Sequence, residues 1–278
     1  MKLRLPLSPT PGKPAPAPVH DALFGTVQAW QGDRPWGRVL DAGTGSHSLR
    51  WILGLSTQGW TAVTGADWME RKVRQDLGHR MRPVDRVVTG NWADPGFLAG
   101  EVYDTVLADY LLGAIDGFAP YFQDRLFARL RSHVGGRLYT IGLEPYPDVA
   151  QDEATALILD IARLRDSCIL LAGHRCYREY PRAWVEQSLR DAGYVVEQAV
   201  SVPIVYGRRF VDGQLDVCRQ KLPLFADPRL AAATGERIEA LRAQAHALHD
   251  RLGGLRVGSD WVVAPRGPGA LLGERGGT

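Results

Sequence analysis

The sequence predicts an α/β fold with a doubly wound, mostly parallel sheet. Two observations support this prediction. From residue 20 onward, short apolar runs alternate with stretches of helical periodicity, which is typical of parallel strands joined by crossover helices. The first apolar run breaks into the turn D-A-G-T-G at residues 41–45, where glycines without a Cβ allow the backbone to pass close to a ligand.

The elements up to residue 147 follow in order from their local patterns. A short helix is expected at 20–30, with Asp21 near its start, and the strand at 39–41 ends in the glycine turn. The apolar run T-A-V-T-G-A-D at 61–67 predicts a second strand that ends in an acid. The same alternation predicts further strands at 86–89, 103–109 and 137–143, and helices at 46–58, 71–80 and 121–134.

The rhythm changes beyond residue 147. A long helix is expected at 152–171, followed by a polar and aromatic patch, G-H-R-C-Y-R-E-Y-P. The helix at 181–191 starts with Pro181, because the first turn of a helix tolerates a missing N–H, and Gly193 closes it. The remaining elements are strands at 194–203 and 259–264 and an alanine-rich helix at 229–252.

Composition narrows the class of protein. The chain has 278 residues and a formal net charge of +2, so no global field attracts nucleic acid or an anionic membrane. The spacing of Cys168, Cys176 and Cys218 matches neither a zinc site nor a disulfide framework. No apolar run approaches the ~20 residues that span a bilayer. We therefore expect a cytoplasmic protein with no nucleic-acid partner, no membrane partner and no metal.

The two ends of the chain are expected to be tails. Six prolines fall within residues 6–18, a composition that favours extended, unpacked backbone, so residues 1–19 are predicted to be a flexible proline-rich tail. Residues 267–278 are glycine-rich and are predicted to be a second flexible tail. The domain is expected between them, over residues 20–266.

The glycine turn resembles the first motif of the class I S-adenosylmethionine-dependent methyltransferases, an acidic residue followed by alternating glycines. Asp41, Gly43 and Gly45 occupy its first three places, and His47 stands where a third glycine is usual. The resemblance implies S-adenosylmethionine as cofactor and a seven-stranded sheet whose last strand is antiparallel. It also implies one domain with helical insertions near 148–180 and 207–257.

The resemblance implies roles at the first two strand ends. Asp41, Gly43 and Gly45 are expected to bind the cofactor. His47 either turns away from the cofactor or contacts its carboxylate. Asp67 is expected to accept both ribose hydroxyls, the alternative being a surface acid or a helix cap, and its neighbour Trp68 is included in the predicted cofactor site.

The next two strand ends supply the remaining candidates. After the third strand, Asn91 or Asp94 is expected to bond the adenine amine and Trp92 to pack on the adenine face. The alternative is that Trp92 belongs to the core and Asp94 caps the next helix. After the fourth strand, Asp109 and Tyr110 lie where the cofactor's methionine end is expected; both are expected to line the transfer site, and Asp109 is also expected to bind the cofactor.

The polar and aromatic patch offers residues that could contact a substrate. His174 could take a proton, arginine could bind a carboxylate, and Tyr177 could enclose a cation. Arg175, Glu179 and Tyr180 belong to the same group of candidates. A solvated loop with an ordinary aromatic anchor is the alternative for each of them.

The sequence thus predicts an S-adenosylmethionine-dependent methyltransferase that acts on oxygen, nitrogen or sulfur of a small molecule. One alternative is an NAD(P)-dependent oxidoreductase, although G-x-G-x-x-G spacing would need glycine at Ser48. The other is a non-catalytic scaffold that binds the cofactor. The helix at 229–252 either covers the active site or pairs with a second subunit, so a homodimer stays open.

Overall fold

Seven strands form one sheet within residues 22–266, the part of the chain that the computed structural model describes. The tails predicted at 1–19 and 267–278 lie outside the described residues. The strands are β1 (Arg38–Asp41), β2 (Gly59–Thr64), β3 (Arg86–Thr89), β4 (Tyr103–Asp109), β5 (Val134–Leu143), β6 (Val195–Tyr206) and β7 (Leu255–Arg266). The helices are α1 (Ala22–Gln31), α2 (Ser46–Ile52), α3 (Asp67–Leu77), α4 (Leu111–Ala114), α5 (Gln123–Arg131), α6 (Glu153–Leu171), α7 (Arg182–Asp191), α8 (Arg208–Lys221) and α9 (Pro228–Leu252).

The strands are ordered β3-β2-β1-β4-β5-β7-β6, and β7 is antiparallel to both of its neighbours. The pairs β1–β2, β1–β4, β2–β3 and β4–β5 are parallel. The predicted fold, a doubly wound, mostly parallel seven-stranded sheet with an antiparallel last strand, is confirmed.

Helices cover both faces of the sheet because successive strand residues point to opposite sides. On one face Leu138 and Trp261 pack with apolar side chains of α5 and α7. On the other face Tyr139 and Val262 pack with apolar side chains of α1, α2 and α3. Strands β5 and β7 are therefore packed from both sides.

Some predicted boundaries move because turns form earlier than the periodicity indicates. Helix α2 stops at Ile52 instead of reaching residue 58, since the amides of Gly54 and Leu55 bond back to Trp51 and Ile52. Strand β2 ends at Thr64, whose hydroxyl accepts the amide of Ala66, and α3 begins at Asp67 rather than at residue 71.

The two predicted insertions contain helices that share one core. Helix α6 lies in the first insertion and α8 and α9 lie in the second; α8 was not predicted. Side chains such as Ile158, Leu215, Ile238 and Leu241 are buried together between these three helices, which we call the helical cap. Because β5 and β6 end, and β7 begins, at the carboxyl edge of the parallel strands, the cap is attached at that edge.

None of the helices in the described part of the chain has the length and apolar character that a bilayer crossing requires.

Candidate functional site

A cleft lies at the carboxyl ends of β1 to β4. Its walls are the three loops that follow β1, β2 and β3, together with α4 and the turn after it. Carboxyl ends of strands are where open α/β sheets bind ligands, because the loops diverge there. The lining residues are Ala42–Thr44, Val63–Ala66, Trp68, Met69, Gly90–Trp92, Leu111, Ala114, Ile115, Phe118 and Tyr177.

Asp41 lies beneath the glycine loop with no exposed surface. Ser48 Oγ donates to its Oδ2 over 2.8 Å, whereas Oδ1 has no hydrogen-bond partner in the described structure. Burial raises the pKa of Asp41 to about 6, and this effect is larger than the opposite effect of the hydrogen bonds to its carboxylate. A buried carboxylate oxygen without a donor is a costly feature that a bound ligand or water would relieve.

Two glycines allow the walls of the cleft to approach each other. A Cβ on Gly43 would lie 2.9 Å from Leu111 Cδ1, and a Cβ on Gly65 would lie 2.5 Å from Phe118 Cδ1. At Gly45 a Cβ would meet nothing within 4 Å. The close approach therefore depends on Gly43 and Gly65, and Gly45 leaves open space at the start of α2.

His47 does not line the cleft. Its ring is exposed and stacks on Phe24 of α1, with the ring centroids 5.3 Å apart. The side chain of His47 is placed against α1 because the first turn of α2 packs on that helix.

Asp67 is exposed at the first position of α3, and its side chain is absent from the cleft walls. Its two neighbours, Ala66 and Trp68, both line the cleft. Trp68 is 59% exposed, an unusual degree for an indole, so its ring offers a large apolar surface at the mouth of the cleft. Asp67 is thus next to the cleft without forming its wall.

Asn91 and Trp92 are both on the cleft wall, and both are engaged within the protein. Asn91 Nδ2 donates to the carbonyl of Phe118 over 2.8 Å, and its Oδ1 accepts the amide of Ala93. Trp92 is only 3% exposed, and its Nε1 donates to the carbonyl of Ala42 over 2.7 Å. Asn91 therefore holds Phe118 in position, and Trp92 joins the core to the glycine loop.

The third candidate of this loop, Asp94, lies off the cleft wall. Its Oδ1 accepts the amide of Gly96 over 2.8 Å, so its carboxylate closes a local turn.

Asp109 and Tyr110 are partly exposed at the end of β4 and do not line the cleft. Tyr110 has a φ of 46°, in the left-handed region that non-glycine residues seldom adopt. Its hydroxyl donates to Asp260 Oδ1 of β7 over 2.6 Å. Burial, and then the charge of Asp260, raises the pKa of Tyr110. The strained turn thus directs Tyr110 along the carboxyl edge toward the helical cap.

Some residues of the polar and aromatic patch lie at the cleft, and others contact the helical cap. Tyr177 lines the cleft and is more than half exposed. His174 is exposed, and its Nδ1 accepts from Lys221 Nζ of α8 over 3.0 Å. Arg175 and Arg178 form ion pairs with Asp116, which is buried in the turn after α4. The ion pairs tie this segment to the turn after α4, and of the four patch residues named here only Tyr177 lines the cleft.

Sequence reasoning missed two features of this edge. Phe118 closes the cleft over Gly65, and nothing in its local pattern distinguishes it from a core aromatic. Asp260 meets Tyr110 across 150 positions of sequence, a pairing that only the register of β7 determines. No group of histidine, cysteine and acidic residues in the described structure is arranged to hold a metal ion.

No protein-family model matches this sequence, and no curated protein matches it. Solved structures do. A cyclopropane-fatty-acyl-phospholipid synthase-like protein from Lactobacillus casei is 14% identical with a TM-score of 0.57, covering 87% of this chain and 88% of that one. A proposed methyltransferase from Bacillus halodurans is 11% identical with a TM-score of 0.56, covering 88% and 98%.

A third similar structure contains a cofactor product. The phosphoethanolamine N-methyltransferase 2 of Haemonchus contortus, solved with S-adenosylhomocysteine, is 12% identical with a TM-score of 0.51 and covers 89% of this chain and 52% of its own. At these identities the comparisons establish the fold. The chain has the fold of the S-adenosylmethionine-dependent methyltransferases, as the resemblance of its glycine turn implied.

Proposed function

We propose that this protein binds S-adenosylmethionine in the cleft and transfers its methyl group to oxygen, nitrogen or sulfur of a small molecule. One observation carries the proposal. The cleft lies at the carboxyl ends of β1 to β4 in a methyltransferase fold, and the glycine loop at its base lies over the buried carboxylate of Asp41. A ligand with a cationic amino-acid end suits such a base.

The residues present fit the cofactor at each of its parts. The loop of Gly43 and Thr44 would hold the methionine end, because Gly43 has no Cβ that would collide with Leu111 at this point. Asp67 would accept the ribose hydroxyls from the first turn of α3. Trp68 and Phe118 would cover the adenine ring with their exposed faces.

The bound cofactor supplies an electrophilic methyl group, which the lone pair of the acceptor displaces while the carbon–sulfur bonding pair stays on sulfur. The protein has to align the two reactants and exclude water. Tyr177 lines the cleft and would help to cover the reactants, and Asp109 and Tyr110, which lie beside the cleft at the end of β4, would contact an acceptor that extends beyond its wall. His174 is bonded to Lys221 of α8 and lies off the cleft wall.

Calorimetry with the full chain tests the proposal. We expect heat of binding with S-adenosylmethionine and S-adenosylhomocysteine and none with NAD⁺ or NADP⁺. Asp67→Asn should raise the dissociation constant for S-adenosylhomocysteine about tenfold or more, since a hydrogen bond to a charged group contributes about 1.5–3 kcal/mol. Asp124→Asn is the matched control, because Asp124 is also an exposed acid in the first turn of a helix.

Each other result has a defined meaning. Well-folded protein that gives no heat with either sulfur compound refutes the proposal. Heat with NAD⁺ alone would favour the oxidoreductase. Binding without methyl transfer to any amine, phenol, thiol or carboxylate would favour the scaffold. A cytoplasmic location and a homodimer through α9 belong to the proposal as well, and fractionation and sedimentation test them.

A further inference from the structure

Three tyrosines and two carboxylates meet at the carboxyl edge of the sheet, between the cleft and the helical cap. Tyr110 bonds Asp260, and the hydroxyls of Tyr146 and Tyr206 lie 2.5 Å apart. The fifth member is Glu179, from the polar and aromatic patch. We call these residues the tyrosine–carboxylate cluster. Four of them are partly exposed and Tyr206 is buried.

Glu179 connects the cluster to the cleft. Its carboxylate accepts the amide of Leu143, and Leu143 is the register partner of Asp260 across β5 and β7. A Cβ on Gly113 would lie 2.7 Å from Glu179 Oε2. Gly113 belongs to α4, of which Leu111 and Ala114 line the cleft, and Tyr177, two positions before Glu179, lines it too. Glu179 is next to the cleft without forming its wall, and a molecule that extends from the cleft along α4 past Gly113 would contact it.

The charges around Glu179 favour a cation. The largest charge effects on it come from one guanidinium, Arg165, and two carboxylates, Asp260 and Asp166. Arg165 donates to Asp166 and to Gln214, so its charge is already matched. Tyrosine ring faces add to this preference because they attract ammonium groups. An anionic acceptor would meet repulsion at the same place.

Glu179 can also exchange a proton near neutral pH. Burial raises its pKa to about 7; Arg165 opposes this shift, and the charges of Asp260 and Asp166 add to it. Tyr146 faces Glu179 from the loop after β5, and burial raises the pKa of its phenol, so it stays neutral. A carboxylate with these properties is suited to take a proton from a bound ammonium group.

We propose that the methyl acceptor is an amine, that it binds as an ammonium ion against the tyrosine–carboxylate cluster, and that Glu179 accepts its proton. This inference rests on the proposed function. The proton moves from nitrogen to a Glu179 carboxylate oxygen, and the N–H bonding pair stays on nitrogen as the lone pair that a methyl acceptor needs. The carboxylic acid then returns the proton to water.

Binding of matched probes tests the charge preference without turnover. Protein saturated with S-adenosylhomocysteine is titrated with 2-phenylethylamine, 2-phenylethanol and 3-phenylpropanoate, and occupancy is followed by NMR. We expect the amine to bind at least tenfold more tightly than the alcohol, and the carboxylate to bind more weakly than either. Glu179→Gln keeps the shape of the side chain and should remove most of the difference. Glu186→Gln, which removes an ion-paired carboxylate on α7, should leave it unchanged.

Turnover with labelled S-adenosylmethionine tests the proton transfer. Amines should be methylated in preference to phenols, thiols and carboxylates, and kcat/KM should rise with pH through about 7 as Glu179 ionises. Glu179→Gln should lower kcat with the best amine about 100-fold or more, the usual value of a positioned base, and abolish that limb of the pH profile. Its affinity for S-adenosylhomocysteine should change less than twofold.

Two outcomes overturn the inference while leaving the proposed function intact. The first is methylation of phenols, thiols or carboxylates with amines inert. The second is a Glu179→Gln variant that keeps the wild-type turnover, pH profile and probe preference. Failure of the wild-type protein to bind S-adenosylhomocysteine is a different result, because it refutes the proposed function itself.

Discussion

Replacing Asp41 with asparagine should stabilise the ligand-free protein in a pH-dependent manner. The folded protein raises the pKa of Asp41 from its ordinary 3.8 to about 6, so ionised Asp41 opposes folding. A raised carboxyl pKa leaves stability intact below pH 4, reduces it as pH rises toward 6, and gives a constant penalty above that. The rise of the pKa from 3.8 to about 6 corresponds to a loss of about 3 kcal/mol in the free energy of unfolding at pH 8, because one pKa unit is about 1.4 kcal/mol.

The stability difference between Asp41→Asn and the wild type changes with pH only through the charge of Asp41, so its pH dependence reports that charge. At pH 5 the unfolded chain has already lost its Asp41 proton and the folded chain has kept it, so about half of the penalty is present. Between pH 5 and pH 8 the advantage of Asp41→Asn should grow by about 1.4 kcal/mol. A constant offset is also expected, since the amide of the introduced asparagine would place a donor where Oδ1 has no partner; that offset does not titrate.

Urea unfolding of both proteins at pH 5 and pH 8 measures this growth. Asp85→Asn is the control with the opposite sign. Asp85 is buried too, but the hydrogen bonds and charge of Arg82 outweigh the effect of burial and lower its pKa, so its ionised form stabilises the fold and its replacement should cost stability at pH 8. The reasoning about Asp41 fails if the difference between Asp41→Asn and wild type is the same at both pH values.

Three further substitutions test the packing that shapes the cleft and the sheet. Gly142→Ala should lower the free energy of unfolding by about 1–3 kcal/mol, because its Cβ would lie 2.3 Å from Cζ2 of the fully buried Trp261. Gly45→Ala, whose Cβ would face open space, should change the free energy of unfolding by less than about 0.5 kcal/mol. Equal midpoints of the two variants in thermal unfolding would contradict this difference. Trp92→Phe should cost about 1–3 kcal/mol by leaving the Ala42 carbonyl without its donor, and an unchanged urea midpoint would show that this bond does not contribute.

Strand bounds could be predicted where local signals were complete. β3 and β4 begin and end where the alternation and the neighbouring turns indicate. Helix α8 was missed although its buried residues Val211, Leu215 and Cys218 follow helical spacing. The segment is charged at both ends and follows an edge strand directly, so its pattern gains meaning only from α6 and α9, which pack on it.

The site was predictable at its base and not at its edge. Local motifs predicted the glycine loop and the loops after β2 and β3, and residues of all three loops line the cleft. Asn91 shows the limit of that approach, because a residue type suited to bind adenine is engaged at both ends with the chain itself. The meeting of Tyr110, Glu179 and Asp260 needs three segments far apart in sequence and the register between β5 and β7.

The departure of His47 from the glycine motif has a structural explanation. Helix α2 begins at Ser46, so residue 47 is in its first turn, and its side chain is directed onto Phe24 of α1. The loop's closest packing occurs earlier, at Gly43 against Leu111. A third glycine is needed only where residue 47 faces the ligand. Because α1 receives the imidazole here, the position tolerates a large side chain, and the thin wall of the cleft depends on Gly43.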